Sequence, residues 1–214
     1  MGITTIRGER IAVSFDSDRC IHARFCVLGN PKVFVPGADG QWIFPDQADA
    51  NEVEAIIRRC PSGALAFERL DGQADEHPPV VNIIKMHENG PLDLHADTLM
   101  PDGSHRLRAV LCRCGHSKEK PYCDGSHRDS HFNASGEREA KEVAKPLAER
   151  GGELRVRPQK NGPLKLEGPL ELLSGGNRTI DRMESVKLCR CGHSGNKPYC
   201  DGSHKKVGFE AEGE

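Results

Sequence analysis

The stretch "CRCGHSKEKPYCDGSH" at residues 112–127 returns as "CRCGHSGNKPYCDGSH" at residues 189–204. Each copy sets Cys-x-Cys, eight residues, Cys, three residues, His. Cysteines two apart on an extended turn can grip one metal ion between them. A cysteine and a histidine four apart fall on one face of a turn and can grip a second. Donors of types S, S, S and N suit one tetrahedral zinc or two irons with two donors each, and the spacing alone leaves both open.

The surrounding letters favour iron. In "CDGSH", Asp124 is placed to cap a short helix, Gly125 to let backbone approach closely, and Ser126 to turn its amide inward. Free amides at a helix start stabilise a negatively charged iron–sulfur centre, for which a neutral zinc site has less need. Lys120, Pro121 and Tyr122 are expected to shield one side. His116 and His193 sit between donor positions and are read as neighbours of the sites, not ligands. Ser117 and Ser194 are read as hydrogen-bonding groups, since no base or oxyanion arrangement is legible around them.

The repeat is longer than the cysteine motif. "NGPLDLHA" from Asn89 matches "NGPLKLEG" from Asn161, each with alternating leucines ahead of its cysteines. Pro91 to Cys112 spans 21 residues and Pro163 to Cys189 spans 26, so the second copy carries five extra residues, expected in the Gly-rich turn "LLSGGNRT". The intervening "SGEREAKEVAKPLAERGGE" reads as a charged helix or a flexible connector.

The pattern C-x-C-x2-S-x3-P-x-C-D-G-S-H resembles the signature of the CDGSH iron-sulfur domain family, of the mitoNEET type, and both copies match it at every defined position. The resemblance implies two 2Fe-2S clusters. One is held by Cys112, Cys114, Cys123 and His127, the other by Cys189, Cys191, Cys200 and His204. Members with one motif pair as dimers, and a tandem chain is expected to build that arrangement within itself as an intramolecular pseudo-dimer. The resemblance also implies acid lability, because protonating the histidine ligand favours cluster loss and donation. The expected result is that His127→Cys and His204→Cys slow loss at acid pH; equal bleaching of wild type and both variants would count against it.

Upstream, "RIAVSF" alternates as a half-buried strand, "DSDRCIHARFC" is a cysteine-bearing loop, and "ALAFERL" reads as a closing strand. Between them Asp46 is placed to cap a helix with Val53, Ile56, Ile57 and Cys60 on one face, stopped by Pro61. "CIHARFC" with the distant "CPSGAL" resembles single-cluster bacterial ferredoxins, more closely a divergent iron-sulfur domain that accompanies CDGSH motifs. Ala23 stands where the middle ferredoxin cysteine would be. Cys20, Cys26 and Cys60 are thus expected to hold a 3Fe-4S cluster, or a 4Fe-4S cluster with His22 as substitute ligand.

The fold class expected is α+β: a small ferredoxin-like domain over 1–77, CDGSH units over 78–134 and 153–214, and a linker over 135–152. Composition agrees. With 36% hydrophobic and 5% aromatic residues, one large apolar core is not expected, and small units need staples. Nine cysteines, an odd number and without a legible signal peptide, point to metal thiolates in a reducing, cytoplasmic compartment. No run approaches a membrane span, and a net charge of −2 gives no nucleic-acid footprint.

No Gly-x-Gly-x-x-Gly, phosphate loop or catalytic triad is present, so the chain is not expected to be an enzyme. The function expected is electron transfer or redox sensing with a partner protein, by a monomer with internal pseudo-twofold symmetry. The alternatives are cluster storage or transfer to an acceptor protein, and a zinc-stabilised interaction module.

Overall fold

A computed structural model of the chain describes residues 2–140 and 146–214. These fall into two compact units, Met1–His77 and Pro78–Glu214. Helices and strands are mixed, with few helices, which makes the class α+β. No helix among the described residues is long and apolar enough to cross a membrane.

In the first unit, three antiparallel strands lie in the order β1 (Ile3–Arg7), β2 (Ile11–Asp16), β3 (Leu65–Arg69). The sequence reading had no β1, whose residues are mostly exposed and carry no buried alternation. In β2 the alternation breaks at its start, where Ile11, Ala12 and Val13 are all buried. The short helix α1 (Phe25–Gly29) follows the first cysteine loop. Helix α2 (Ala50–Arg58) buries Val53, Ile56 and Ile57.

The cap of α2 is Asp49, whose carboxylate accepts from the Asn51 amide. Asp46 instead accepts from the Glu9 amide and lies in a separate 3-10 turn, Pro45–Gln47. The cap lies three residues later than expected, because Pro45–Gln47 forms a turn of its own before α2 begins. Cys60 lies past the helix end, in the turn that Pro61 enforces. The buried Arg69 guanidinium ties α2 to β3, donating to Glu54 at 2.9 Å, Asn51 at 3.1 Å and Asp71 at 2.7 Å.

The second unit is one six-stranded sheet shared by both repeats. The first repeat supplies β4 (Ile83–Met86), β5 (Leu92–Leu99) and β6 (His105–Leu111). The second supplies β7 (Glu153–Pro158), β8 (Leu164–Leu173) and β9 (Thr179–Leu188). Within each repeat the three strands pair antiparallel in sequence order. Between repeats the opening strand of each pairs in parallel with the middle strand of the other, β4 with β8 and β7 with β5. Asn82, fully buried, joins the crossing: it donates to Gly152 O and Pro169 O and accepts from the Asp97 amide.

The alternating Leu92, Leu94, Leu164 and Leu166 all enter a single core with Ile84, Val156 and Leu188. The five extra residues of the second repeat are not in its turn. Residues 100–104 and 174–178 are turns of equal length, whereas β8 has 10 residues against 8 in β5 and β9 has 10 against 7 in β6. Both hairpins carry a bulge at the same place, between His95 and Thr98 and between Glu167 and Leu170, so the extra residues extend the ladder beyond it, and a second register shift at Leu172–Leu173 takes up the odd one.

Of the connector, residues 141–145 lie outside the described residues. Residues 135–140 are not helical and are bound to the second repeat. Arg138 donates to Lys197 O at 2.7 Å and Asn196 Oδ1 at 2.8 Å, and the Gly175 amide bonds to Gly136 O.

Candidate iron-sulfur sites

Each repeated motif is folded by pairing its two ends. The Cys112 amide donates to Pro121 O and the Cys123 amide to Val110 O, so the end of β6 runs antiparallel to Pro121–Cys123. The second copy does the same, Cys189 with Pro198 O and Cys200 with Lys187 O. Tyr122 and Tyr199 bridge to Leu111 and Leu188 and pack on the shared core. Short backbone ladders thus bring the late Cys beside the early pair.

The donors stand as pairs at metal-chelating separations. Cys112 and Cys114 sulfurs are 3.7 Å apart, and those of Cys189 and Cys191 are 3.8 Å apart. Cys123 Sγ lies 3.5 Å from His127 Nδ1, and Cys200 Sγ 3.4 Å from His204 Nδ1. Two thiolates at about 2.3 Å from one tetrahedral metal stand about 3.8 Å apart, and a thiolate with an imidazole nitrogen at about 2.0 Å stands about 3.5 Å away. Both pairs in both motifs fit. Each motif therefore presents its donors as two pairs, each spaced to hold one metal.

Backbone amides point at the sulfurs. His116 N lies 3.4 Å from Cys114 Sγ, and Gly125 N 3.4 Å from Cys123 Sγ. His193 and Gly202 repeat this on Cys191 and Cys200. The inward amide is Gly125's, because Ser126 N is spent on Asp124 Oδ1. Asp124 is less a helix cap than a cinch: its other oxygen accepts from the Lys118 amide across the loop. Burial works to raise its pKa, yet these amide bonds hold it at about 2. Asp201 binds Ser203 and Gly195 in the same way. A short helix, α3 (Ser203–Lys206), forms only in the second motif.

Close backbone approach, expected at Gly125, occurs elsewhere. A Cβ on Gly125 or Gly202 would meet nothing within 4 Å, and both are needed for positive φ. A Cβ on Gly115 would stand 2.6 Å from Cys191 O, and one on Gly192 would stand closer still to Cys114 O. The two Cys-x-Cys loops therefore pack backbone to backbone.

Ser117 and Ser194 brace the loops by donating to Tyr122 O and Tyr199 O while accepting the Glu119 and Asn196 amides. The hydrogen bond with Cys114 lowers the Cys112 pKa, helped by nearby amides, and raises that of Cys114. Burial pushes Cys123 up to about 11 and raises Cys191. Burial also lowers His127, against the pull of Asp124. Metal binding at these thiols therefore releases protons.

In the first unit Cys20, Cys26 and Cys60 line one cavity, roofed by Phe15 and Trp42 in edge-to-face contact at 4.9 Å. The cysteine loop, α1 and the turn after α2 each bring one thiol to it, although Cys60 lies far along the chain. Burial raises both Cys20 and Cys26. His22, held at φ +54, is not among the cavity's lining residues, and its Nδ1 stands 3.9 Å from Cys20 Sγ. His22→Ala is expected to leave the iron content of this site unchanged; a drop of one iron in quantitation of the purified protein would make His22 a ligand after all.

Two comparisons meet this geometry. The family described as "Iron-binding zinc finger CDGSH type" matches residues 82–128 and again 161–205, and the family described as "Divergent 4Fe-4S mono-cluster" matches residues 6–69. The chain belongs to the CDGSH iron-sulfur domain family. It is a tandem-motif member with an N-terminal divergent mono-cluster domain.

Among curated relatives, the Escherichia coli (strain K12) "Uncharacterized protein YjdI" is 41% identical over 66 residues, 31% of this chain and 86% of that protein. The Mus musculus "CDGSH iron-sulfur domain-containing protein 1" is 32% identical over 65 residues, 30% of this chain and 56% of that protein. The CDGSH protein described here is thus an iron-sulfur-binding protein.

Sequence reasoning missed one part of its sites. The repeat continues past the histidines, as "HFNASGE" at 131–137 and "GFEAEGE" at 208–214. Asn89 exchanges both an amide and a side-chain bond with Ala134, and Asn161 does so with Ala211. The recurring Phe-x-Ala-x-Gly-Glu was the available signal.

Proposed function

We propose that this CDGSH protein is a three-cluster electron-transfer or redox-sensing protein. Cys112, Cys114, Cys123 and His127 would hold one 2Fe-2S cluster and Cys189, Cys191, Cys200 and His204 the other. Cys20, Cys26 and Cys60 would hold a 3Fe-4S or 4Fe-4S cluster in a ferredoxin-like domain. The observation that carries this reading is the pairing of donors, two per metal, at tetrahedral separations in both motifs. When bound, such clusters supply one-electron oxidation and reduction.

The chain's residues then have distinct tasks. The thiols and imidazoles bind. The amides of His116, Gly125, His193 and Gly202 offset negative charge on the sulfurs. Asp124 and Asp201 fix the loops, and the reading assigns no catalytic residue. The two repeats would form an intramolecular pseudo-dimer, a reading supported by the reciprocal pairing of β4 with β8 and β7 with β5. The protein would act in the cytoplasm on a redox partner protein.

The test is anaerobic reduction followed by reoxidation, watched in the visible spectrum. Reversible bleaching over several cycles without iron loss is the expected result. Iron and sulfide passing to an apo-acceptor protein instead would favour storage or transfer, and a colourless zinc protein would leave only the interaction module.

A further inference from the structure

Helix α1 turns one side inward and leaves the other bare. Cys26 and Val27 pack against the core of the first unit, and Gly29 abuts Ile56. Phe25 and Leu28, three apart and so on one face, are 41% and 71% exposed. Phe25 also lines the cysteine cavity, so this bare face adjoins the N-terminal site. The three thiols there are half-buried, whereas five of the six repeat thiols are buried.

The charge around this face says which partner fits it. The first unit is acidic, with 12 Asp and Glu against 8 Lys and Arg over residues 1–77. Its cysteine loop and α1 are not, for there is no acidic residue from Arg19 to Ala38. Five of the eight cations, Arg7, Arg10, Arg19, Arg58 and Arg69, are in ion pairs. Among the described residues, Arg24, Lys32 and Arg59 are in none, and all three are exposed. Arg24 precedes α1 and lines the cavity, Lys32 follows shortly after its end, and Arg59 lies over the Phe25 ring at 5.2 Å. Nearby carboxylates are taken up, Asp16 by Arg19 at 2.9 Å and Glu52 by the Asn30 amide group at 2.7 Å, which leaves Asp18 exposed ahead of Cys20.

Aromatic and arginine side chains around an exposed leucine make the composition of an interface core. The unpaired cations favour an acidic partner and steer it to this face. A second copy of the chain would instead set these cations against one another across a twofold axis. We propose that the outer face of α1, Phe25 and Leu28 with Arg24, Lys32 and Arg59, docks an acidic one-electron carrier protein beside the N-terminal site. That the partner is a redox carrier rests on the cluster reading above; that it is acidic rests on the charges.

The test is titration calorimetry of the full chain with oxidised plant-type 2Fe-2S ferredoxin, a small acidic carrier. It is run at ionic strengths of about 0.01 M and about 0.1 M, where the Debye length is about 30 Å and about 10 Å. Arg24→Glu is expected to weaken binding about tenfold at the lower salt and less at the higher. Should Arg24→Glu fail to load iron, Lys32→Glu, farther from the cysteines, decides the same question. Leu28→Ser is expected to weaken binding about threefold to tenfold at both. Arg7→Glu changes the net charge equally but lies at the end of β1 away from the cysteine loop, and is expected to bind within about twofold of wild type. With iron in the N-terminal site, no binding, or equal losses in Arg7→Glu and Arg24→Glu, overturns the docking face. So does a dimer that Leu28→Ser dissociates, which makes a second copy the occupant. A Leu28→Ser protein with unchanged binding and a lowered melting temperature overturns it too, since the chain itself then covers the face. A purified wild-type chain without iron in its N-terminal site overturns the cluster reading, and with it the redox nature of the partner.

Discussion

Gly192→Ala is expected to strip iron from both repeat sites, not only from the one in which it lies. Gly192 sits at φ +83, a conformation that costs a residue with a Cβ about 1–2 kcal/mol. The larger effect is steric. The added carbon would overlap the Cys114 carbonyl, which is backbone of a donor residue of the other motif. Neither loop can retreat without opening the Cys112–Cys114 or the Cys189–Cys191 pair. Gly115→Ala, aimed at Cys191 O, is expected to behave in the same way. Gly202→Ala is the control: it shares the positive φ, at +89, but faces open space, so its effect stays small and local. Iron per chain, with thermal melting alongside, separates these outcomes. A Gly192→Ala protein with one fully loaded repeat site would show that the two loops are independent.

Cys60→Ala is expected to abolish the N-terminal cluster while both repeat sites remain loaded. Of the three thiols lining that cavity, Cys60 alone comes from far along the chain, on the turn that Pro61 fixes after α2. Its removal leaves Cys20 and Cys26 on adjoining loop and helix. Two donors cannot complete a three- or four-iron cluster. The repeat unit has its own sheet and its own core, so it does not need that site to fold. EPR of the purified variant checks this: the signal of the N-terminal centre should vanish with the others unchanged, and its survival would remove Cys60 from the ligand set.

What the sequence made legible was local. Every repeat ligand lies within 16 residues of its partners, so spacing alone carries the pairing of Cys112 with Cys114 and of Cys123 with His127. The crossing of the repeats was not legible, because β4–β8 and β5–β7 join residues far apart and leave no periodic mark. Nor was the burial of Arg113 and Arg190. An arginine in a polar, glycine-rich loop reads as a surface residue, and only its repetition between cysteines hinted otherwise. The misplaced insertion has a similar cause: glycines mark turns, yet here the extra residues lengthen the strands on either side, and a register shift at Leu172–Leu173 accommodates their unequal number.

The central claim is that the donors work as pairs on clustered irons. Iron and acid-labile sulfide quantitation on the anaerobically purified full chain, with EPR in oxidised and reduced states, tests it most directly. The account predicts about seven or eight irons and about eight sulfides per chain, two closely similar 2Fe-2S signals on reduction, and one distinct N-terminal centre. About two zinc ions per chain with no sulfide would contradict it.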